Sequence, residues 1–137
     1  MYDPEGDLNA VFSVLTKDSE LMKLLGWETN NLKSQYVWKS NKYPYSFPNA
    51  GSRILLYFDP SRTTRNPLVS EEILRVDCHY PDKEANTGMK IQKRVRELLH
   101  LKTVNGKQLW WAGQIGDLAS TANYNCLAVR YRYSIVV

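Results

Sequence analysis

The chain has 137 residues, 43% of them hydrophobic and 23% charged, with a net charge of +4. That length and apolar content suit one domain, 1–137, with one buried core, which needs neither a disulfide nor a metal to fold. No run of about 18 apolar residues occurs, so no membrane-spanning helix is expected.

The start, MYDPEGDLNA, is acidic where a signal peptide is basic and then apolar, which places the protein in the cytoplasm of the cell that makes it. Cys78 and Cys126 are the two cysteines. They suit a reducing compartment, and no C-x-x-C or H-x-x-x-H spacing marks a metal site. The basic excess is uneven: residues 81–137 carry nine Lys/Arg against four acids, whereas residues 1–50 carry five against six. Such a bias attracts nucleic acid or an acidic protein surface, and it also serves plain solubility.

In DLNAVFSVLTKDSELMKLLG, Leu8, Val11, Phe12 and Leu15 repeat at i, i+3, i+4 and i+7, which predicts an N-terminal helix with Asp7 as N-cap. A further turn or two begins at Ser19 and stops before Gly26, placed as the residue just past a helix end. From about 27 to 51 no period holds. WKSNKYPYSFPNAGS is instead aromatic and turn-rich, the mark of a functional or partner-ordered loop. Its Tyr36, Trp38, Tyr43, Tyr45 and Phe47 are too many to leave in water without cause.

RILLYFD (53–59) reads as a buried strand and DPSRTTRNPLVS as a polar loop carrying Arg62 and Arg65. EEILRVDCHY alternates, with Leu74, Val76, Cys78 and Tyr80 on one face and Arg75, Asp77 and His79 on the other. The longest helix is expected over about 83–100, opened by Pro81 and capped by Asp82. Its stripe is Ala85, Gly88, Met89, Gln92, Val95 and Leu99, flanked by Ile91 and Leu98. Asn105-Gly106 predicts a type I′ hairpin joining roughly 101–104 to 107–112. Of the neighbours Trp110 and Trp111, one should be buried and one exposed. NYNCLAVRYRYSIVV is a closing strand with Leu127, Val129, Tyr131, Tyr133, Ile135 and Val137 on one face. Tyr124, Cys126, Arg130, Arg132 and Ser134 occupy the other.

This order predicts an α+β fold: a mainly antiparallel sheet with the N-terminal helix and the long helix packed on one face. The other face then carries Arg75, Asp77, His79, Arg130 and Arg132. Strand parity separates Cys78 from His79, so the two cannot share a metal without a bulge. Asp77 and His79 share a face and could pair, yet no Ser or Cys nucleophile stands in a recognisable turn nearby. Cys78 is then core filling and His79 lies on the surface. A metal-dependent nuclease would draw on Asp59, Glu72, Asp77 and Lys83, but the acid-x-Lys tripeptide is missing and Glu72 points to the core. No catalytic residue, metal or cofactor is expected.

The segment EEILRVDCHYPDKEANTGMKIQKRVRELLH, a hairpin and a long last strand resemble the tail terminator (tail completion) proteins of long-tailed bacteriophages. In that family a strand of the "xIxVxVYS" kind leads through a polar turn into a helix patterned "xxAxxIxxxVxxLL". Here Ile73, Arg75 and Asp77 alternate with Leu74, Val76 and Cys78, Tyr80 precedes the turn, and Ala85, Ile91 or Gln92, Val95, Leu98 and Leu99 fit the helix. The likeness covers about residues 53–137, and the aromatic segment 33–50 departs from it.

The resemblance implies a non-enzymatic virion protein, assembled in the host cytoplasm as a homo-oligomeric, hexameric ring. Such a ring caps the tail tube, meets a head-side connector or stopper protein, and lets DNA pass through its lumen without specific binding. Trp38, Tyr43, Tyr45, Phe47, Arg62, Arg65, Trp110 and Trp111 are then candidates for subunit or partner contacts. Arg75, Asp77, His79, Arg130 and Arg132 are candidates for a lumen or polar sheet face. A head-closure or adaptor neck protein and a basic nucleic-acid-binding module remain alternatives. No membrane partner is expected.

Overall fold

The computed structural model describes residues 2–47, 51–118 and 120–136. Helix α1 (Pro4–Lys17) is capped by Asp3, whose carboxylate accepts the Gly6 N–H at 3.1 Å. Pro4 fills the first helical position, where a missing N–H costs nothing. Asp7, expected as the cap, therefore sits one turn inside the helix and is buried. Its carboxylate accepts from Lys107 Nζ at 2.6 Å and from the Tyr133 hydroxyl at 2.7 Å. Helix α2 (Ser19–Leu24) is capped by Asp18 and gives way to Gly26 at φ +81°, where a left-handed backbone favours glycine.

The aromatic segment holds one 3-10 turn (Lys33–Gln35) and a two-residue strand, β1 (Val37–Trp38), parallel to the start of the next strand. Strands β2 (Arg53–Thr63) and β3 (Val69–Pro81) are antiparallel and longer than their apolar runs suggested. The stretch expected to be a polar loop is mostly hairpin arm. A register shift between Asp59 and Arg62 accommodates Pro60, which has no N–H to give to the ladder.

Helix α3 spans Thr87–Leu99, so it starts later than expected, and Asp82 is not its cap. Asn86 holds the cap position, and residues 82–83 and 85–86 form turns. Gly88, Ile91, Gln92, Val95 and Leu99 face the core. Ala85 precedes the helix, and Met89 is 58% exposed because the stripe is centred on Gly88, Ile91, Val95 and Leu99, which leaves position 89 outside it. Asn105 and Gly106, at φ 49° and 76°, form the expected type I′ turn between β4 (Thr103–Val104) and β5 (Lys107–Gln108).

Strand β6 (Trp110–Leu118) runs well beyond 112 before β7 (Tyr124–Val136) closes the described chain. Its alternation is hidden by register shifts around Gln114 and by Gly113 and Gly116 at positive φ. Among the described residues, one sheet has the order β1-β2-β3-β7-β6, antiparallel except at β1–β2. The fold is α+β, as the periodicities indicated.

All three helices pack on one sheet face. Val11, Leu15, Leu21, Met22, Ile91, Val95 and Leu99 join Ile54, Leu56, Leu74, Val76, Cys78, Leu127, Val129 and Tyr131 in one core cluster. Each large side chain buried this way contributes roughly 1.5–3 kcal/mol. Val137, assigned to this face by parity, lies outside the described residues. Gln92 is the polar member of the helix stripe: its Nε2 donates to the Val76 and Leu127 carbonyls at 2.9 and 2.8 Å, tying α3 to the two central strands. Among the described residues no helix is long and apolar enough to cross a membrane.

Candidate interaction surface

The helix-free face of the sheet is built by strand parity. Antiparallel register sets Tyr57 beside Arg75 and Arg75 beside Arg130, with Leu55, Asp77 and Ala128 in the next row. Arg75 makes a two-point contact with Asp77, Nε to Oδ1 at 3.0 Å and Nη2 to Oδ2 at 3.1 Å. Its other nitrogen lies 3.5 Å from Asp59, which also accepts from Arg130 Nε at 2.9 Å. The Tyr57 hydroxyl donates to Asp77 Oδ2 at 2.5 Å. Burial, then the bond to the Asp77 carboxylate, pushes the Tyr57 phenol well above its ordinary pKa. Arg132, at the edge of the array, reaches Glu71 at 3.7 Å.

These pairings decide the chemistry of the face. Donor atoms of Asp77, His79 and Cys126 come within 4.8 Å of one another, a grouping that could hold a cation by donor type alone. The Asp77 carboxylate is already engaged by Arg75 and Tyr57, and a cation there would meet the guanidinium that now neutralises it. Asp59 is likewise held between Arg75 and Arg130. Asp59 and Asp77 are thus committed to arginines, Glu72 is buried and accepts from Ser70 Oγ at 3.1 Å, and Lys83 lies beyond the end of β3.

His79 is not a free surface residue. Its Nδ1 lies 2.8 Å from Ser120 Oγ, and Phe47 stacks on its ring with centroids 4.8 Å apart. Burial lowers its pKa, with the Asp77 charge opposing. Phe47 also stacks on Tyr124 at 5.0 Å and on Tyr43 at 5.2 Å, while Tyr45 lies edge-on to Trp38 and Tyr43. The Tyr43 hydroxyl donates to the Gln35 carbonyl and accepts from Arg53 Nε. Trp38, Tyr43, Tyr45, Phe47 and His79 therefore form one aromatic plug over the end of the polar face.

Arg62, Arg130, Arg132 and Trp111 come together with Glu71 around a cleft of about 370 Å³. Trp110 is 45% exposed and lines the adjoining groove with Arg132, whereas Trp111 is half-buried beneath the Arg96 guanidinium. Arg65 stands apart, exposed in the β2–β3 arm. Sequence reasoning left Tyr57, Glu71, Arg53 and Ser120 out of the site. Tyr57 and Glu71 have the right parity to be found, but only the register of the hairpin shows which charges they meet.

Fold and surface together define an α+β scaffold with helices on one sheet face and a charge-paired array capped by aromatics on the other. No protein-family model matches the chain, and no curated protein matches it. Among solved structures, a chain described as "Virion of native gene transfer agent (GTA) particle" aligns over 100% of this chain and 100% of its own length. Its TM-score is 0.69 at 15% sequence identity, a likeness that establishes a shared fold. A second solved chain covers 88% of this one at 11% identity, and its TM-score of 0.48 carries no argument.

Proposed function

We propose that the protein is a structural component of a phage-like tail or neck: a ring that caps the tail tube as a tail terminator and joins it to the head-side connector. The observation that carries this reading is the end-to-end fold likeness to a virion chain, complete in both directions. The surface chemistry supports it. A channel through which DNA slides needs polar walls whose cations are already matched, and Asp59, Asp77 and Glu71 stand against Arg75, Arg130 and Arg132. In this reading that face, with His79, lines the lumen. Trp38, Tyr43, Tyr45, Phe47, Arg62, Arg65, Trp110 and Trp111 serve contacts with other copies, the tail tube protein or the connector. Residues 1–137 act as one domain, supported by the continuous core cluster. The work is assembly rather than catalysis, the protein ends in the virion, and a hexamer is the ring the family resemblance implies.

Electron microscopy of the purified protein tests the reading directly, with closed rings expected. Loss of the gene should leave tails of uncontrolled length. A protein that stays monomeric, in particles whose tails are unaltered without it, contradicts the proposal.

A second reading, a basic nucleic-acid-binding module, is favoured by Arg62 and Arg65, which make no ion pair among the described residues. It requires duplex binding that weakens steeply with salt, by about one unit of logarithmic slope per phosphate contact. Weak binding with a flat salt response removes it.

A further inference from the structure

Beyond Asp59, β2 and β3 continue as an arm whose residues 60–68 are all exposed. Its tip is ordered from within. Thr64 Oγ1 donates to the Asn66 and Val69 carbonyls at 2.9 and 2.8 Å, and Asn66 Oδ1 accepts the Leu68 N–H at 2.9 Å. This turn leaves Leu68 62% exposed, on the same arm as Arg62 and Arg65, which have no ion-pair partner among the described residues. An exposed apolar side chain on an arm that also carries cations without ion-pair partners has the form of an anchor for a partner.

The complementary surface lies at the other end of β3. A groove of mixed lining, about 310 Å³, is formed there by Phe47, Pro81 and Tyr124 together with the polar Asp82, Lys83 and Thr121. Asp82 and Glu84 are exposed and make no ion pair among the described residues, and Glu84 lies close enough to raise the Tyr124 pKa, behind burial and against Arg53. Two acids against Lys83 leave the rim net negative. Arm and groove stand at opposite ends of a 13-residue strand, roughly 40 Å apart at ~3.3 Å per residue, so a chain cannot fill its own groove.

We propose that the arm tip of one subunit docks in this groove of the next copy, with Leu68 against the outer edge of the stacked Phe47 and Tyr124 rings beside Pro81 and with Arg62 and Arg65 toward Asp82 and Glu84. The two patches share no residue, so the contact is head-to-tail, the kind that closes a ring or grows a filament. The inference rests on the ring reading above and names the surfaces that build it.

The test uses the full chain in three forms: wild type, an arm variant (Arg65→Ser with Leu68→Ser) and a groove variant (Asp82→Ser with Thr121→Trp). All four positions are exposed, so unfolding midpoints should be unchanged, and sedimentation with electron microscopy reads the assembly. Wild type should form rings and each variant should sediment as a monomer. An equal mixture of the two variants should give dimers and nothing larger, since such a pair retains a single intact arm and groove. Rings that persist in both variants overturn the arm contact and leave the ring reading standing. Monomeric variants whose mixture makes no dimer overturn the pairing of arm with groove: each surface then serves the ring, but not against the other. A wild type that is monomeric at every concentration overturns the ring reading and this contact together.

Discussion

Arg75 and Asp77, two residues apart on β3, face the same side of the sheet and share a two-point ion pair at 3.0 and 3.1 Å. Their side chains are 13% and 8% exposed, so each is the other's main substitute for lost solvent. The pair engages both Asp77 oxygens, so a cation at this carboxylate would have to displace the Arg75 guanidinium.

Asp77→Asn should therefore destabilise the protein by about 2–4 kcal/mol, because a largely buried guanidinium loses its closest counter-charge. Asp59, 3.5 Å from Arg75, keeps the loss toward the lower end. The double change Arg75→Met with Asp77→Leu should be much milder than Asp77→Asn alone. Urea titrations of the three proteins check the ordering. A double change costing more than the single one would mean the pair itself contributes strongly.

Asp7 ties α1 to both β5 and β7 through Lys107 and Tyr133. Asp7→Ala leaves a buried ammonium and a buried hydroxyl without their acceptor, at about 2–4 kcal/mol. The expected reading is a lower denaturation midpoint with an unchanged slope. The loss should exceed that of Asp3→Ala, which removes a helix cap worth about 1 kcal/mol.

At Gly88 an added Cβ would lie 2.4 Å from Cε1 of the Tyr80 ring. Gly88→Ala should gain about 1 kcal/mol of helix propensity and lose more to overpacking, for a net loss of about 1–2 kcal/mol. The same substitution in a Tyr80→Leu background should cost less or become favourable. An equal cost in both backgrounds would point away from the ring contact.

His79 carries a pH dependence whose sign follows from its lowered folded-state pKa. Above the unfolded value of about 6.5 both states are neutral and the full stability is present. Below it the unfolded chain takes a proton that the folded site resists, so stability falls as pH drops through that value toward the folded pKa. His79→Gln should flatten the stability profile between about pH 7 and 5 relative to wild type. Equal slopes in both proteins would assign the dependence elsewhere.

Much of the architecture was legible because burial enforces period. Val11 and Leu15, Leu74 to Tyr80, Ile91 to Leu99 and Leu127 to Ile135 all reach the core predicted from their spacing. The misses have local physical causes. Asp7 has the chemistry of a cap, but Asp3 followed by Pro4 wins the helix start and frees Asp7 for Lys107. Strand β6 lacks alternation because its glycines and register shifts break the pleat. The β2–β3 arm reads as a loop because both of its faces are wet, so no apolar period marks it.

By itself the sequence determined which residues share a face, since that follows from backbone geometry within a single element. It separated Cys78 from His79 and put Arg75, Asp77, Arg130 and Arg132 on one side of a sheet. Whether those charges were free to bind or already spent was decided only in three dimensions. Register sets Asp59 between Arg75 and Arg130, and the aromatic segment brings Phe47 onto His79. Both are contacts between residues far apart in the chain, and their energies depend on distances of a few ångströms that no local period encodes.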